Sequence, residues 1–202
     1  EPSDLVGLAW MTDDTGTHLS QQSYVEKHLR LISTDKLNLT SLSKPSSIVQ
    51  GSELYNLFRS ALGKLIWLEK TRHEFSFDIS ILASRVKLLC ITDILYINDV
   101  ISAIVSTKTY ALFLPAIALQ PGETLELLGV CDASLAGRSD ESSQGARAIG
   151  VTNSDTDVFA PVDVVSRKVR RRGSSSFDVE MLTLVDTCDM ILILRLMFEE
   201  IM

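Results

Sequence analysis

The order of apolar and polar positions separates a helical middle of the chain from a mainly stranded second half. After Glu53, apolar residues recur at three- and four-residue steps, beginning with Leu54, Phe58 and Leu62. This period matches the α-helix, and it continues through two further apolar runs that end with "ITDILYINDVISAIVS". Asp93 is predicted to cap the last of these helices. The pattern therefore predicts a helical block.

Beyond this block the pattern changes to short apolar runs separated by turn residues. "TYALFLPAIAL" is typical of extended chain, and Pro121-Gly122 predicts a turn. Strands are predicted in "ETLELLGVC", "ARAIGVTN" and "DVFAPVDVVS", with Asn153-Ser154-Asp155 as a hairpin connection. A long apolar-rich helix is predicted from about Phe177 onward. Three antiparallel strands and one long helix make a two-layer α/β unit.

The segment before the helical block combines short strands with turn chemistry. "LVGLAW" predicts a strand, and Asp13, Asp14 and Gly16 predict the turn that follows it. "THLSQQSYVEKHLRLI" predicts a strand that passes into a helix capped by Ser20 or Ser23. The Ser/Thr-rich stretch after it predicts a loop or linker. The fold class expected for the whole chain is α+β.

Composition and charge narrow the classes of function. Hydrophobic residues make up 46% and charged residues 22%, which is typical of a globular protein. The formal net charge of −7 argues against a protein that coats nucleic acid, because duplex binding is mostly phosphate neutralisation. The longest apolar run, "MILILRLMF", is too short to span a bilayer, and no signal peptide is recognisable. We expect an intracellular protein, in the cytoplasm or the nucleus, with no membrane partner. Because the chain begins with Glu1, we also expect it to be a piece of a longer protein.

Two carboxylates are candidates for a metal site. Asp132 closes the apolar run "LELLGVC", and Glu180 lies one turn into the final helix. If the helix packs across the sheet so that these acids face each other, they repel unless a cation such as Mg²⁺ lies between them. The alternative makes Asp132 a turn residue at a strand end and Glu180 a first-turn acid that complements the helix dipole.

Two further acids compete for the same role. Asp186 follows Glu180 by six residues, which places it about 120° away around the helix and more than a turn along it, so that the two cannot easily share an ion. Asp178 is predicted to be a helix-start acid.

A basic run stands out in this acidic chain. "SRKVRRRGSSS" contains Arg167, Lys168, Arg170, Arg171 and Arg172. If the strand continued through it, Lys168, Arg170 and Arg172 would share one face and Arg171 the other. Such a basic edge suits binding of a phosphate backbone. A charged edge that discourages aggregation explains the run equally well.

Taken together, these motifs resemble those of a known family. "GVCDASLAG", "SSQGARAIGVTN" and the segment "VDVVSRKVRRRGSSSFDVEML" resemble the first part of the ribonuclease H domain of copia-type retrotransposon polyproteins. "GTHLSQQSYVEKHL" resembles the end of that family's reverse transcriptase, and "GKLIWLEKTR" its connecting region. The resemblance implies a reverse-transcriptase remnant and linker over 1–50, a helical thumb or connection over 51–110, and a truncated ribonuclease H-like domain over 111–202.

The resemblance also implies roles for particular residues. Asp132 and Glu180 match the family's strand and helix acids, which implies metal binding and catalysis with Mg²⁺ or Mn²⁺. Two-metal hydrolysis uses ions about 3.5–4 Å apart. The polymerase motif, a tyrosine followed by paired aspartates, is absent: "MTDDTG" lacks the tyrosine. Two further ribonuclease H acids would lie beyond Met202.

The predicted function is that of a fragment of a reverse transcriptase–ribonuclease H polyprotein. The parent activity would be metal-dependent hydrolysis of RNA in RNA–DNA hybrids, with weak metal binding and little or no activity in this chain. Its partners would be RNA–DNA hybrid or other nucleic acid, contacted by Lys168, Arg170, Arg171 and Arg172, and the remainder of the polyprotein. Self-association through an unpaired sheet edge is also expected. The alternatives are a non-catalytic binding or interaction module and a remnant without function.

Overall fold

The computed structural model describes residues 3–35, 40–117, 124–138, 140–153 and 158–201. In this part of the chain the strands are β1 (Ser3–Leu5), β2 (Leu8–Asp13), β3 (Gly16–Ser20), β4 (Ala111–Pro115), β5 (Leu125–Ser134), β6 (Gln144–Asn153) and β7 (Ala160–Lys168). The α-helices are α1 (Gln22–His28), α2 (Glu53–Leu68), α3 (Ser76–Arg85), α4 (Ile91–Ser106) and α5 (Ser176–Ile201). The α+β class predicted from the sequence is confirmed. None of the helices described has the length and apolar character needed to cross a bilayer.

The chain forms two compact units, one made of residues 1–11 and 18–112 and the other of residues 12–17 and 113–202. The first unit is built around the helices that the apolar period predicted. Phe58, Leu65 and Ile94 are completely buried there. Val25 and Ile48 pack into the same core, so residues on both sides of the expected 50/51 boundary share one apolar cluster.

The start of α4 differs from the prediction in one respect. Cys90, not Asp93, is the N-cap residue, because its extended backbone (φ −141°) precedes the first helical turn. Asp93 lies three residues later and accepts a hydrogen bond from the Cys90 backbone N–H at 2.9 Å. Its other oxygen pairs with the Arg85 guanidinium at 3.1 Å. The acid thus stabilises the helix start from inside the first turn.

The N-terminal apolar run forms two strands, not one. Val6 and Gly7 both have positive φ angles, 54° and 80°, and the chain reverses there so that Leu5 pairs with Leu8. A positive φ at a β-branched residue such as Val6 is uncommon. The prediction of a single strand over "LVGLAW" is therefore wrong. The strands of the first sheet follow the order β1-β2-β3-β4.

The turn and helix that follow these strands keep their predicted positions. The Asp13 carboxylate accepts hydrogen bonds from the backbone N–H groups of Thr15 (2.8 Å) and Gly16 (3.2 Å), as the turn signal predicted. Helix α1 follows β3, but its N-cap residue is Gln21, which makes no side-chain cap bond. Of the two predicted serines, Ser20 lies one residue before Gln21, and its hydroxyl accepts a hydrogen bond at 3.3 Å from the backbone N–H of Gln22, whereas Ser23 lies inside the helix.

The second unit contains the predicted sequence of three strands and a long helix. Strands β5, β6 and β7 form an antiparallel sheet in that order, with Asp132 opposite Ala146 and Ala146 opposite Ser166. In the described residues, β5 and β7 each pair along one edge only. The predicted turn at Pro121-Gly122 lies outside the described residues, as do Ser154 and Asp155 of the predicted hairpin connection.

Close packing of α5 on the sheet depends on glycine. A Cβ atom added to Gly145 would lie 2.6 Å from the Thr183 hydroxyl, whereas one added to Gly63, in the exposed middle of α2, would meet nothing within 4 Å. We therefore expect opposite effects from the same substitution. Gly145→Ala should lower the free energy of unfolding by about 1–3 kcal/mol through overpacking. Gly63→Ala should raise it by about 0.5–1 kcal/mol, because glycine is a poor helix former.

Denaturant unfolding followed by circular dichroism measures both changes. Equal effects of the two substitutions would contradict the close approach of α5 to β6.

Candidate functional site

Helix α5 covers one face of the β5-β6-β7 sheet. Val179, Thr183 and Thr187 form the buried stripe of the helix. A Cβ atom on Gly129 of β5 would lie 2.7 Å from Ile191, and one on Gly145 of β6 would reach Thr183. Since successive side chains of a strand point to opposite faces, the odd-numbered residues of β5 and β6 face the helix.

Asp132 lies on the other face of the sheet. It is an even-numbered residue of β5, three positions from Gly129, and it is exposed together with Leu128 and Val130. Its carboxylate accepts a hydrogen bond at 2.8 Å from the backbone N–H of the next residue, Ala133. Asp132 is nevertheless not the strand-end turn residue of the alternative interpretation, because it lies inside β5 and is followed there by Ala133 and Ser134.

Glu180 does not face Asp132. It follows the buried Val179 by one residue and is exposed on α5. The expectation that the two carboxylates share a cation is therefore wrong in its geometry, because strand alternation places Asp132 on the face of the sheet opposite the helix. The structure therefore does not bring the two carboxylates together at one position. In the part of the chain that the structure describes, no three His, Cys, Asp or Glu residues come together as a metal-binding group.

Asp178 has the helix-start role predicted for it. Its carboxylate accepts hydrogen bonds from the backbone N–H groups of Ser174 (2.9 Å) and Ser175 (3.1 Å), and its own N–H donates to the Ser175 hydroxyl at 3.1 Å. This reciprocal arrangement is a capping box. Hydrogen bonds from Ser174 and then Ser175 hold the pKa of Asp178 below its ordinary value.

Asp186, the other rival acid, takes part in an ion-pair network that the sequence did not predict. It pairs with Arg147 of β6 and accepts from Arg167 of β7 at 2.6 and 2.7 Å. Arg147 also pairs with Asp163 at 2.6 Å, and its side chain is only 4% exposed. Alternation on β6 and β7 places both arginines on the helix face of the sheet, but recognising this from sequence would have required the register of both strands.

The basic run only partly continues the strand. β7 ends at Lys168, so the condition for alternation of Arg170, Arg171 and Arg172, a strand that continues through the run, is not met. Lys168 pairs with Asp140 at 2.8 Å, and this bond, followed by one from Ser142, holds the pKa of Asp140 well below its usual range.

The three arginines beyond the strand remain open to solvent. Arg170, Arg171 and Arg172 are all exposed, and none of them forms an ion pair with a residue that the structure describes. The first two also line a cleft of about 290 Å³ between α5 and strands β6 and β7. The charged residues along this cleft are Arg147, Arg167, Lys168, Arg170, Arg171, Asp186 and Asp189. The arrangement is suited to binding an anion at the mouth of the cleft.

Comparison with models of known protein families, with curated proteins and with solved structures gave no match.

The cap of α5 predicts a pH-dependent helix start. A carboxyl pKa lowered by folding contributes stability above the unfolded value, about 3.9, and that contribution is lost as pH falls through the folded value. We expect Asp178→Ala to speed amide hydrogen exchange in the first turn of α5 at neutral pH. Asp189→Ala, which removes an exposed acid from the middle of the same helix, should not do so.

In a circular dichroism titration, the wild type should lose helical signal only below the ordinary carboxyl value of about 3.9, because the lowered pKa of Asp178 keeps it ionised down to there, and this step should be smaller in Asp178→Ala. Equal exchange rates in the two variants would rule out the capping role.

Proposed function

We propose that the second unit binds nucleic acid through its phosphate backbone and does not cleave it. The observation that carries this proposal is the exposed group of Arg170, Arg171 and Arg172 beside the cleft, none of them ion-paired with a described residue. Arginine suits this task because its planar guanidinium presents several N–H donors to phosphate oxygens. Phosphate contacts of this kind carry no sequence information, so the binding is expected to be insensitive to sequence.

The pairing of neighbouring charges supports the same conclusion. Arg167 is engaged by Asp186 and Lys168 by Asp140, whereas the next three basic residues have no such partner in the described residues. An edge that only discouraged aggregation would serve equally well with its cations paired or unpaired. Three adjacent unpaired cations repel one another, and an anionic ligand relieves this repulsion. Because the chain as a whole carries a net charge of −7, we expect moderate affinity that falls steeply with salt.

A second candidate is a fragment of a copia-type reverse transcriptase–ribonuclease H polyprotein. The order of elements in the second unit favours it: three antiparallel strands followed by a long helix match the ribonuclease H-like unit expected from the resemblance. The edge of β5 that has no partner strand among the described residues would accept a further strand from the remainder of such a polyprotein. This parentage would place the chain inside the cell, in the cytoplasm or the nucleus. The positions of Asp132 and Glu180 give no support to cleavage by this chain.

Binding is tested with a fluorescently labelled RNA–DNA hybrid followed by anisotropy between about 50 and 200 mM salt. Changing Arg170, Arg171 and Arg172 to Gln should weaken binding and reduce the slope of log affinity against log salt by about three, one for each arginine–phosphate pair that is removed. A control variant removes the same charge elsewhere by changing Lys27, Lys70 and Lys87, all exposed, to Gln. If both variants bind alike, the arginine run is not the interface.

Cleavage is tested by incubating the same hybrid with the wild-type chain and Mg²⁺ or Mn²⁺. We expect intact RNA, because the two carboxylates do not converge on one ion. The matched variant is Asp132→Asn, which leaves the exposed strand position polar. RNA cleavage by the wild type that Asp132→Asn abolishes would establish the nuclease instead of the binding module.

A further inference from the structure

The cleft beneath α5 contains an internal anion. The Asp186 carboxylate lies among cationic residues from two strands, with both of its oxygens within 2.7 Å of the Arg167 guanidinium. Arg170 and Arg171 line the same cleft. A carboxylate held between guanidinium groups occupies a position that would equally suit a phosphate oxygen.

The two arginines that hold Asp186 differ in how free they are to change partner. Arg147 is 4% exposed and has Asp163 as a second partner, so it is fixed in place. Arg167 and Asp186 are 47% and 46% exposed, and an ion pair so open to solvent contributes little to stability. Arg167 can therefore leave Asp186 for another anion at small cost.

We propose that this cleft is a binding site for one phosphate of a nucleic-acid backbone, with Arg167 as a further ligand, and that Asp186 lowers its affinity by competing for Arg167. The inference rests on the proposed function, since it assumes that the phosphate belongs to the strand held by the arginines beyond β7. Binding of the phosphate exchanges the Asp186–Arg167 pair for a phosphate–Arg167 pair, with no covalent change. Asp186 stays paired with Arg147.

The chain offers a matched control for this competition. Asp189 lines the same cleft on the same helix, but it forms no ion pair with a described residue. Asp186→Asn and Asp189→Asn therefore change the charge equally, and only the first releases Arg167. A difference between these two variants therefore reports the loss of the pairs that Asp186 makes with Arg167 and Arg147, and not the general electrostatic field.

The experiment measures affinity for the labelled RNA–DNA hybrid against salt for the wild type and both variants. Asp186→Asn should bind about three- to fivefold more tightly, the equivalent of one exposed ion pair. Its salt slope should stay within about one of the wild-type value, because both proteins contact the same phosphate through Arg167. Asp189→Asn should change affinity by less than about twofold, because exposed charges that make no direct contact are screened. Circular dichroism checks that both variants are folded.

A second pair of variants tests Arg167 in the wild-type background, so that the outcome does not depend on the folding of Asp186→Asn. Arg167→Gln should weaken hybrid binding, whereas Arg195→Gln, which removes a charge from the exposed Arg195–Glu199 pair on α5, should not. Equal binding by Asp186→Asn and Asp189→Asn, or by Arg167→Gln and Arg195→Gln, overturns the inference.

The proposed function has its own separate readout. It fails if the wild type binds no better than the variant that lacks Arg170, Arg171 and Arg172. A gain in Asp186→Asn over Asp189→Asn supports the inference even where wild-type binding is too weak to measure. Absence of binding in all variants overturns both proposals.

Discussion

The organisation of the second unit depends on one constraint: side chains alternate across the sheet while a single helix covers one face. Gly129 and Gly145 allow α5 to approach closely, and this approach selects the odd-numbered positions of β5 and β6 as the set that faces the helix. Once that face is selected, each polar residue of the strands is assigned to the helix side or the open side. Arg147 falls beneath the helix, and Asp132 falls opposite it. The same constraint that builds the arginine–aspartate network therefore separates the two acids that would have formed a metal site.

Burial explains why the network has a fixed part and an open part. A guanidinium as buried as that of Arg147 must be paired, since an unpaired buried charge is strongly destabilising. Asp163 and Asp186 both meet this requirement. Asp186 lies closer to the surface, and there it also engages Arg167. The fixed part of the network is therefore structural, whereas its outer part is available for exchange with a ligand.

The positions of individual charges in the second unit, and not the net charge of the chain, determine which of its surfaces are cationic. An acidic chain can still present a cationic surface when its acids neutralise particular partners and leave adjacent cations unpaired. Asp140 neutralises Lys168 at the end of β7, and the chain then leaves the strand, so that Arg170 and its two neighbours are exposed to solvent beyond the sheet. The end of the strand thus divides the basic run. The residues within β7 form ion pairs, whereas the arginines beyond it are exposed and can bind a ligand.

Interactions between residues close in sequence determined most of the secondary-structure elements. The helical period after Glu53, the turn at Asp13 and the helix-start role of Asp178 each depend on neighbours within a few residues, which is the range over which backbone propensity and capping act. Reversal of the chain at Val6 was missed because its signal is a backbone angle that β-branched residues rarely adopt. Which carboxylates and guanidinium groups meet between α5 and the β5-β6-β7 sheet was decided by tertiary structure alone. A one-residue change of register would turn every side chain of a strand to the other face, and only the packing of α5 selects the face on which Arg147 and Asp132 lie.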